Sequence, residues 1–169
     1  PLTVEVPAFS VKSIEQSTPV SGSTNTITVT LTANYNLATG STVTVTGLTG
    51  SQTADAASLA VTSTSNLLGT AGAWTQSSGQ LVLTAASGGT STGTACTVTF
   101  SLTNTATQQV SPAVSVVAAI QDGSTNSVGS IAQAAMDKST GALYGVAGGA
   151  APLTVEVPAF SVKSIEQST

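Results

Sequence analysis

The sequence predicts an all-β fold, an antiparallel β-sandwich of short, half-buried strands, and three observations carry that expectation. Apolar and hydroxyl residues alternate with period two through most of the chain. Turn pairs such as Thr39-Gly40, Thr49-Gly50, Gly88-Gly89 and Asp122-Gly123 recur at strand-length intervals. The strand-like runs are rich in Thr and Val, whose branched side chains suit a pleated surface better than a helix.

Taken in order, the first elements are Leu2 to Val6 and Ala8 to Glu15, separated by Pro7, which has no N–H for a sheet ladder and so confines the stretch to an edge or a strand switch. Leu2, Val4 and Val6 share one face. Phe9 and Val11 share another, with Ile14 out of phase; a bulge near Lys12 and Ser13 would restore the register. Thr26 to Thr32 alternates without a break, and the same pattern recurs at Thr42 to Thr46, Ala57 to Val61, Leu81 to Leu83, Cys96 to Leu102 and Ala113 to Ala118. Leu31, Val45, Phe100 and Val116 each occupy the apolar phase and are expected in one core. Ser130 to Met136 could pass for a helical turn, but it lies between two hairpin-like turns and reads as a strand. Gly145 to Ala151 then reads as a short flexible joint.

A duplication governs the domain organisation. Residues 1–18, PLTVEVPAFSVKSIEQST, reappear letter for letter as residues 152–169, a period of 151 residues. So long a period points to whole domains in series. Residues 1–151 form one repeat unit, with 1–18 as edge or linking strands and 145–151 as the joint, and 152–169 begin the next, identical repeat. The chain therefore reads as internal to a longer protein. Its second copy offers an inter-repeat strand in two parts, Leu153, Val155 and Val157 before Pro158, and Phe160 and Val162 after it. A strand so divided can pair partly with the domain behind and partly with the domain ahead, in the manner of a donor strand.

Composition removes several functions. Charged residues make up 6 %, there is no His, the only cations are Lys12, Lys138 and Lys163, and the net charge is −4. Phosphate recognition needs a basic patch, so nucleic acid is not an expected partner; nor is an anionic membrane surface. No run of about 18 apolar residues is present, so no membrane insertion is expected. Without His, neither a Ser-His nor a Cys-His pair can form, and one Cys cannot make a zinc site. Cys96 falls on the inward face with Val98 and Phe100 and reads as a small buried hydrophobe. Glu5, Glu15, Asp55, Asp122 and Asp137 are scattered and read as solvated surface acids. No enzyme activity and no cofactor are expected.

Three weaker features remain. Asp122, Ser124 and Asn126 place oxygen-bearing side chains at alternate positions as in calcium loops, although no further acid follows until Asp137 and Asp-Gly is a common hairpin pair. Thr26, Thr28, Thr30 and Thr32, beside Thr42, Thr44 and Thr46, could form a ladder of the kind that binds ice, against which ordinary sheet twist works. The same hydroxyls are O-linked glycan acceptors, whereas no Asn has Ser or Thr two places on, so N-glycosylation is not expected. Trp74 reads as a core plug more readily than as a sugar platform.

The stretches Val20 to Asn34, Gly40 to Gly50, Trp74-Thr75-Gln76 and Phe100 to Asn104 together resemble the immunoglobulin-like tandem repeats of very large extracellular proteins of unicellular algae and other protists, which serve as surface, adhesive or flagellar-hair components. The resemblance implies an immunoglobulin-like sandwich, an extracellular or cell-surface location and neighbouring copies of the same repeat as partners; it implies no catalytic residues. The lone Cys96 departs from immunoglobulin domains proper by removing their inter-sheet disulfide, which leaves Trp74 without the family's packing role. The expected function is a structural repeat of a filament or adhesin. The alternatives are a carbohydrate- or ice-binding module, or a pilin-like subunit completed by its own edge segment appended at the C-terminus.

Overall fold

The computed structural model describes residues 4–86, 88–124 and 126–167. Ten strands and one short 3-10 turn account for its regular structure: β1 (Phe9–Gln16), β2 (Thr24–Ala33), β3 (Thr42–Thr46), β4 (Ala56–Ser63), the turn Thr64–Asn66, β5 (Ala71–Thr75), β6 (Gln80–Thr84), β7 (Cys96–Thr103), β8 (Ser115–Gln121), β9 (Ser127–Ala135) and β10 (Asp137–Lys138). The protein is all-β. The strands form one sheet in the order β10-β1-β2-β7-β4-β5-β6-β3-β8-β9. Every pairing is antiparallel except β1 with β10, which makes the sheet mixed.

Two features nearly close this sheet. Strand β4 serves both halves, meeting β7 through Val61–Ser63 and β5 through Ala56–Ala60. At the far edges, β9 runs through Met136 directly into β10, which lies beside β1 and so brings the two edges together. An edge strand presents unpaired backbone groups to any passing chain, and joining the edges removes most of that hazard.

The alternation in the sequence translates directly into burial. Along β2 every second residue from Asn25 to Leu31 is buried, and β3, β6 and β7 repeat the pattern. Leu31, Val45, Phe100 and Val116 lie in a single cluster with Ile27, Val43, Leu81, Leu83 and Val98. Cys96 is buried and unbridged in the same cluster, and Trp74 is buried with its indole Nε1 donating to the Thr53 carbonyl over 3.0 Å.

The first eighteen residues depart from expectation. Leu2 lies outside the described residues, and residues 4–8 form no strand; Val4 and Val6 are 85 % and 74 % exposed. The physical reason is a lack of partner: β2 pairs with β1 only as far as Ala33 opposite Phe9, and Pro7 contributes no donor. The bulge sits at Ser10, between the Phe9–Ala33 and Val11–Thr32 pairs, instead of at Lys12 and Ser13. Placed there it turns both Phe9 and Ile14 inward and leaves Val11 exposed. Ser10 Oγ donates to the Thr32 carbonyl over 3.1 Å, tying the bulge to its partner strand.

Gly145 to Ala151 is also more ordered than a flexible joint. Leu143 and Val146 exchange two backbone hydrogen bonds around Tyr144 and Gly145, both with left-handed φ (51° and 79°), the conformation of a tight hairpin turn. Gly149 and Ala150 are buried, and a Cβ on Gly149 would come within 2.9 Å of the Val146 carbonyl oxygen, so glycine is required there for packing.

Candidate inter-repeat joint

The two copies of the repeated segment occupy complementary environments. In the second copy Leu153 and Val155 are completely buried, whereas Val157 is half exposed and Phe160, Val162 and Ile165 are 82 %, 76 % and 99 % exposed. In the first copy the situation is reversed: Val4 and Val6 are exposed, and the tail is β1, with Phe9 and Ile14 in the core. Of the five residues expected to form an inter-repeat strand, two are thus seated in this body and three extend from it.

The head of the second copy is held by backbone pairing on both sides. Val155 exchanges two hydrogen bonds with Gln109 (2.8 and 2.9 Å), an antiparallel bridge. On the other side Glu156 N donates to the Pro19 carbonyl over 2.7 Å and Ser21 N donates to the Glu156 carbonyl over 3.0 Å, a parallel bridge. The Gln109 side chain adds a bond to the Leu153 carbonyl at 3.0 Å. With the backbone satisfied on both flanks, Leu153 and Val155 can enter the core without stranding polar groups.

A buried amide network welds the two copies together. Gln16 Nε2 donates to the carbonyls of Gly149 (2.7 Å) and Thr154 (2.8 Å), while its Oε1 accepts from Asn25 Nδ2 at 2.7 Å. Asn25 Nδ2 also donates to Asn104 Oδ1 (2.8 Å), and Asn104 Nδ2 reaches the carbonyls of Thr18 and Val20. Buried amides are tolerated only when their groups find partners, and here they do. Nothing in the alternation pattern marks Gln16, Asn25 and Asn104 as a unit; the only available signal was that Asn25 and Gln16 fall on the apolar phase of their strands.

At the opposite end of β1 the chain enters the body beside Asn34. Ala8 N donates to Asn34 Oδ1 over 2.7 Å, and Asn34 Nδ2 donates to the Val6 carbonyl over 3.0 Å. Entry and exit are therefore separated by the length of β1, on the order of 25 Å at ~3.3 Å per residue. Next to the exit, Pro19, Val20, Tyr144, Val146, Glu156 and Pro158 line an apolar groove of about 270 Å³.

The remaining candidates fall elsewhere. Asp122, in the β8–β9 connection, accepts from Ser124 N (2.7 Å), Asn126 N (3.3 Å) and Asn126 Nδ2 (2.8 Å). Those bonds, that from the Asn126 side chain foremost, hold its carboxyl below the usual carboxylate range, and they direct N–H groups at both oxygens, the geometry of a capped turn. Asp55 accepts from Gln76 N, and Asp137 forms an exposed pair with Lys12 at 3.1 Å. Among the described residues no three His, Cys, Asp or Glu side chains gather to hold a metal ion, and no helix is long and apolar enough to cross a membrane. The threonine ladder has different neighbours from those expected: Thr28 and Thr30 of β2 face Thr99 and Thr97 of β7, while Thr42, Thr44 and Thr46 lie in the other half of the sheet between β6 and β8. No protein-family model and no curated protein sequence matches this chain.

Proposed function

We propose that this chain is a structural repeat of an extracellular filament or adhesin, joined to its neighbours through the shared segment, and that the two halves of its sheet are the layers of an immunoglobulin-like sandwich. One observation carries the reading: the head of the segment completes the body it follows, and the tail supplies β1 of the body it precedes. Because the two copies are identical in sequence, every interior copy in an array can do both at once.

The joint so formed contains no slack. Glu156 is bonded to Pro19 and Ser21 of the body behind, and the carbonyl of the very next residue, Val157, corresponds to that of Val6, which Asn34 of the following repeat would hold. A linker of no free residues cannot act as a swivel. The thread of β1, running from entry at one end to exit at the other, then stacks repeats head to tail.

A self-complemented pilin-like subunit would account for the seating of Leu153 and Val155 but leaves Phe160, Val162 and Ile165 without purpose, so the array is favoured. The hydroxyl-rich, charge-poor surface suits an extracellular location and O-linked glycans. Solution scattering of chains carrying one, two and four repeats tests the proposal. A rod gives a radius of gyration that grows in proportion to repeat number; growth with its square root, as for freely jointed beads, overturns it.

A further inference from the structure

We infer that Tyr144 of one repeat and Tyr35 of the next form an aromatic contact that locks the joint, with the following repeat as the occupant of the groove at the exit; the inference rests on the array reading above. The two tyrosines are the only ones in the sequence. Both are exposed, Tyr35 to 45 % and Tyr144 to 78 %, whereas Trp74 and Phe9 are buried. They stand at opposite ends of the body: Tyr35 directly follows Asn34, which clamps the entering chain, and Tyr144 lines the groove with Pro158, where the chain leaves.

Translating one repeat onto the next brings these ends together. Pro158 corresponds to Pro7, and Ala159 to Ala8, whose N–H is held by Asn34. The next repeat's Asn34-Tyr35 is thereby delivered to the rim of the groove formed by Pro19, Val20, Tyr144, Val146 and Pro158 of the preceding one. Continuity of the chain fixes the occupant.

Tyr144 also has a conformation that a lone repeat does not explain. Its φ of 51° is left-handed, at a turn position where Asn or Gly is free of steric conflict, and its ring gains little burial in return. Strain of this kind is retained where surrounding contacts over-determine it, and the following repeat supplies such contacts.

The test compares the single-repeat chain, residues 1–169 with the opening segment of the next repeat included, with a two-repeat chain of the same sequence. In the two-repeat chain, nuclear Overhauser contacts are expected between the ring of the first repeat's Tyr144 and that of the second repeat's Tyr35. In a double-mutant cycle with Tyr144→Asn and Tyr35→Ala, the unfolding constants should show a coupling of about 2- to 12-fold, the range for an aromatic pair, and none in the single repeat. Tyr144→Asn alone should raise the melting temperature of the single repeat, since Asn tolerates the left-handed turn, which guards against a trivial loss of folding. Absence of both ring contacts and coupling overturns the inference even where scattering shows a rod, in which case the array reading stands. Rod-like scattering lost together with the contacts sinks both. Chemical-shift changes at Tyr144 on adding soluble oligosaccharide, with none on adding a second repeat, would assign the groove to a sugar and overturn the inference.

Discussion

The side-chain amide of Gln16 donates to the backbone carbonyl of Thr154 over 2.8 Å, so the tail of one copy of the repeated segment is bonded, inside the protein, to the head of the next. Both residues belong to the duplicated sequence, and in an array each copy would take part in the bond twice, as donor in one repeat and acceptor in another. The polar contact specifies which end of the segment belongs where. Apolar burial alone would not distinguish Val155 from Val4, which has the same neighbours in sequence.

Replacing Gln16 by Ala should therefore be costly for so small a change. It strands the Gly149 and Thr154 carbonyls and removes one acceptor from Asn25, so a loss of about 2–4 kcal/mol is expected. Gln16→Glu should be worse at neutral pH, because it sets a carboxylate against two carbonyl oxygens, and should recover as the pH falls and the carboxyl regains a proton. Urea melts of both variants at pH 4.5 and 7 check this; equal stability of the two at pH 7 contradicts it.

Leu153 and Phe160 should respond in opposite ways to the length of the chain. In the single repeat Leu153→Ala opens a core cavity and is expected to cost about 2–5 kcal/mol, whereas Phe160→Ala alters an exposed side chain and should stay within about 0.5 kcal/mol. Adding a second repeat turns Phe160 into the counterpart of Phe9, in the core of the following body. Its substitution should then cost about 3–5 kcal/mol, read as a drop in melting temperature confined to the two-repeat chain.

The strands were legible because one face of each meets the core, and period-two alternation is the direct record of that burial; β2, β3, β6 and β7 follow it residue by residue. Strand β5 escaped because Ala71-Gly72-Ala73 carries too little apolar bulk to register, although Gly72 is required there: a Cβ would lie 2.9 Å from the Val82 carbonyl oxygen. The bulge was inferred correctly from the odd spacing of Phe9 and Ile14, but its position depended on which residue β2 skipped, and that is a property of pairing. The division of the segment at Pro158 was readable too: Leu153 and Val155 before it are buried, and Phe160 and Val162 after it are exposed. The amide network was not, since Gln16, Asn25 and Asn104 are far apart in sequence and only the fold brings them together.

Cys96 gives a pH dependence. Burial pushes its thiol up, more than its hydrogen bond to Thr64 pulls it down. Folding thus holds the proton more tightly than the unfolded chain does, so its stabilising contribution is full below the ordinary thiol range near ~8.5 and is lost as pH rises through the folded value. A shallow decline in melting temperature above about pH 8.5, absent from Cys96→Ser, is expected. Alkylation at pH 8 should be slower than in the denatured chain by a factor on the order of 10³–10⁶, because reaction must await opening. Rapid labelling of the native protein would place the thiol at the surface.

Truncation orders the parts of the segment by what each supports. A chain ending at Ala151 loses Leu153 and Val155 from the core together with the pairing to Gln109 and Pro19. Each of those side chains contributes about 1.5–3 kcal/mol when buried, and for a body of this size 1 kcal/mol corresponds to roughly 2–4 °C, so a fall of about 10 °C is expected. A chain ending at Val157 retains every one of these contacts and should melt with the full chain. A chain of residues 17–157 lacks β1 and with it Phe9, Ile14 and Gln16, has no second copy of that strand, and exposes the edges of both β2 and β10; it should be the least stable and the most prone to associate. Supplying residues 159–169 as a free peptide should restore it, since that peptide repeats the sequence of β1. Rescue fixes the tail of the segment as a strand that one chain can lend to another, and failure to rescue, with the peptide in large excess, would mean that β1 works only when covalently in place.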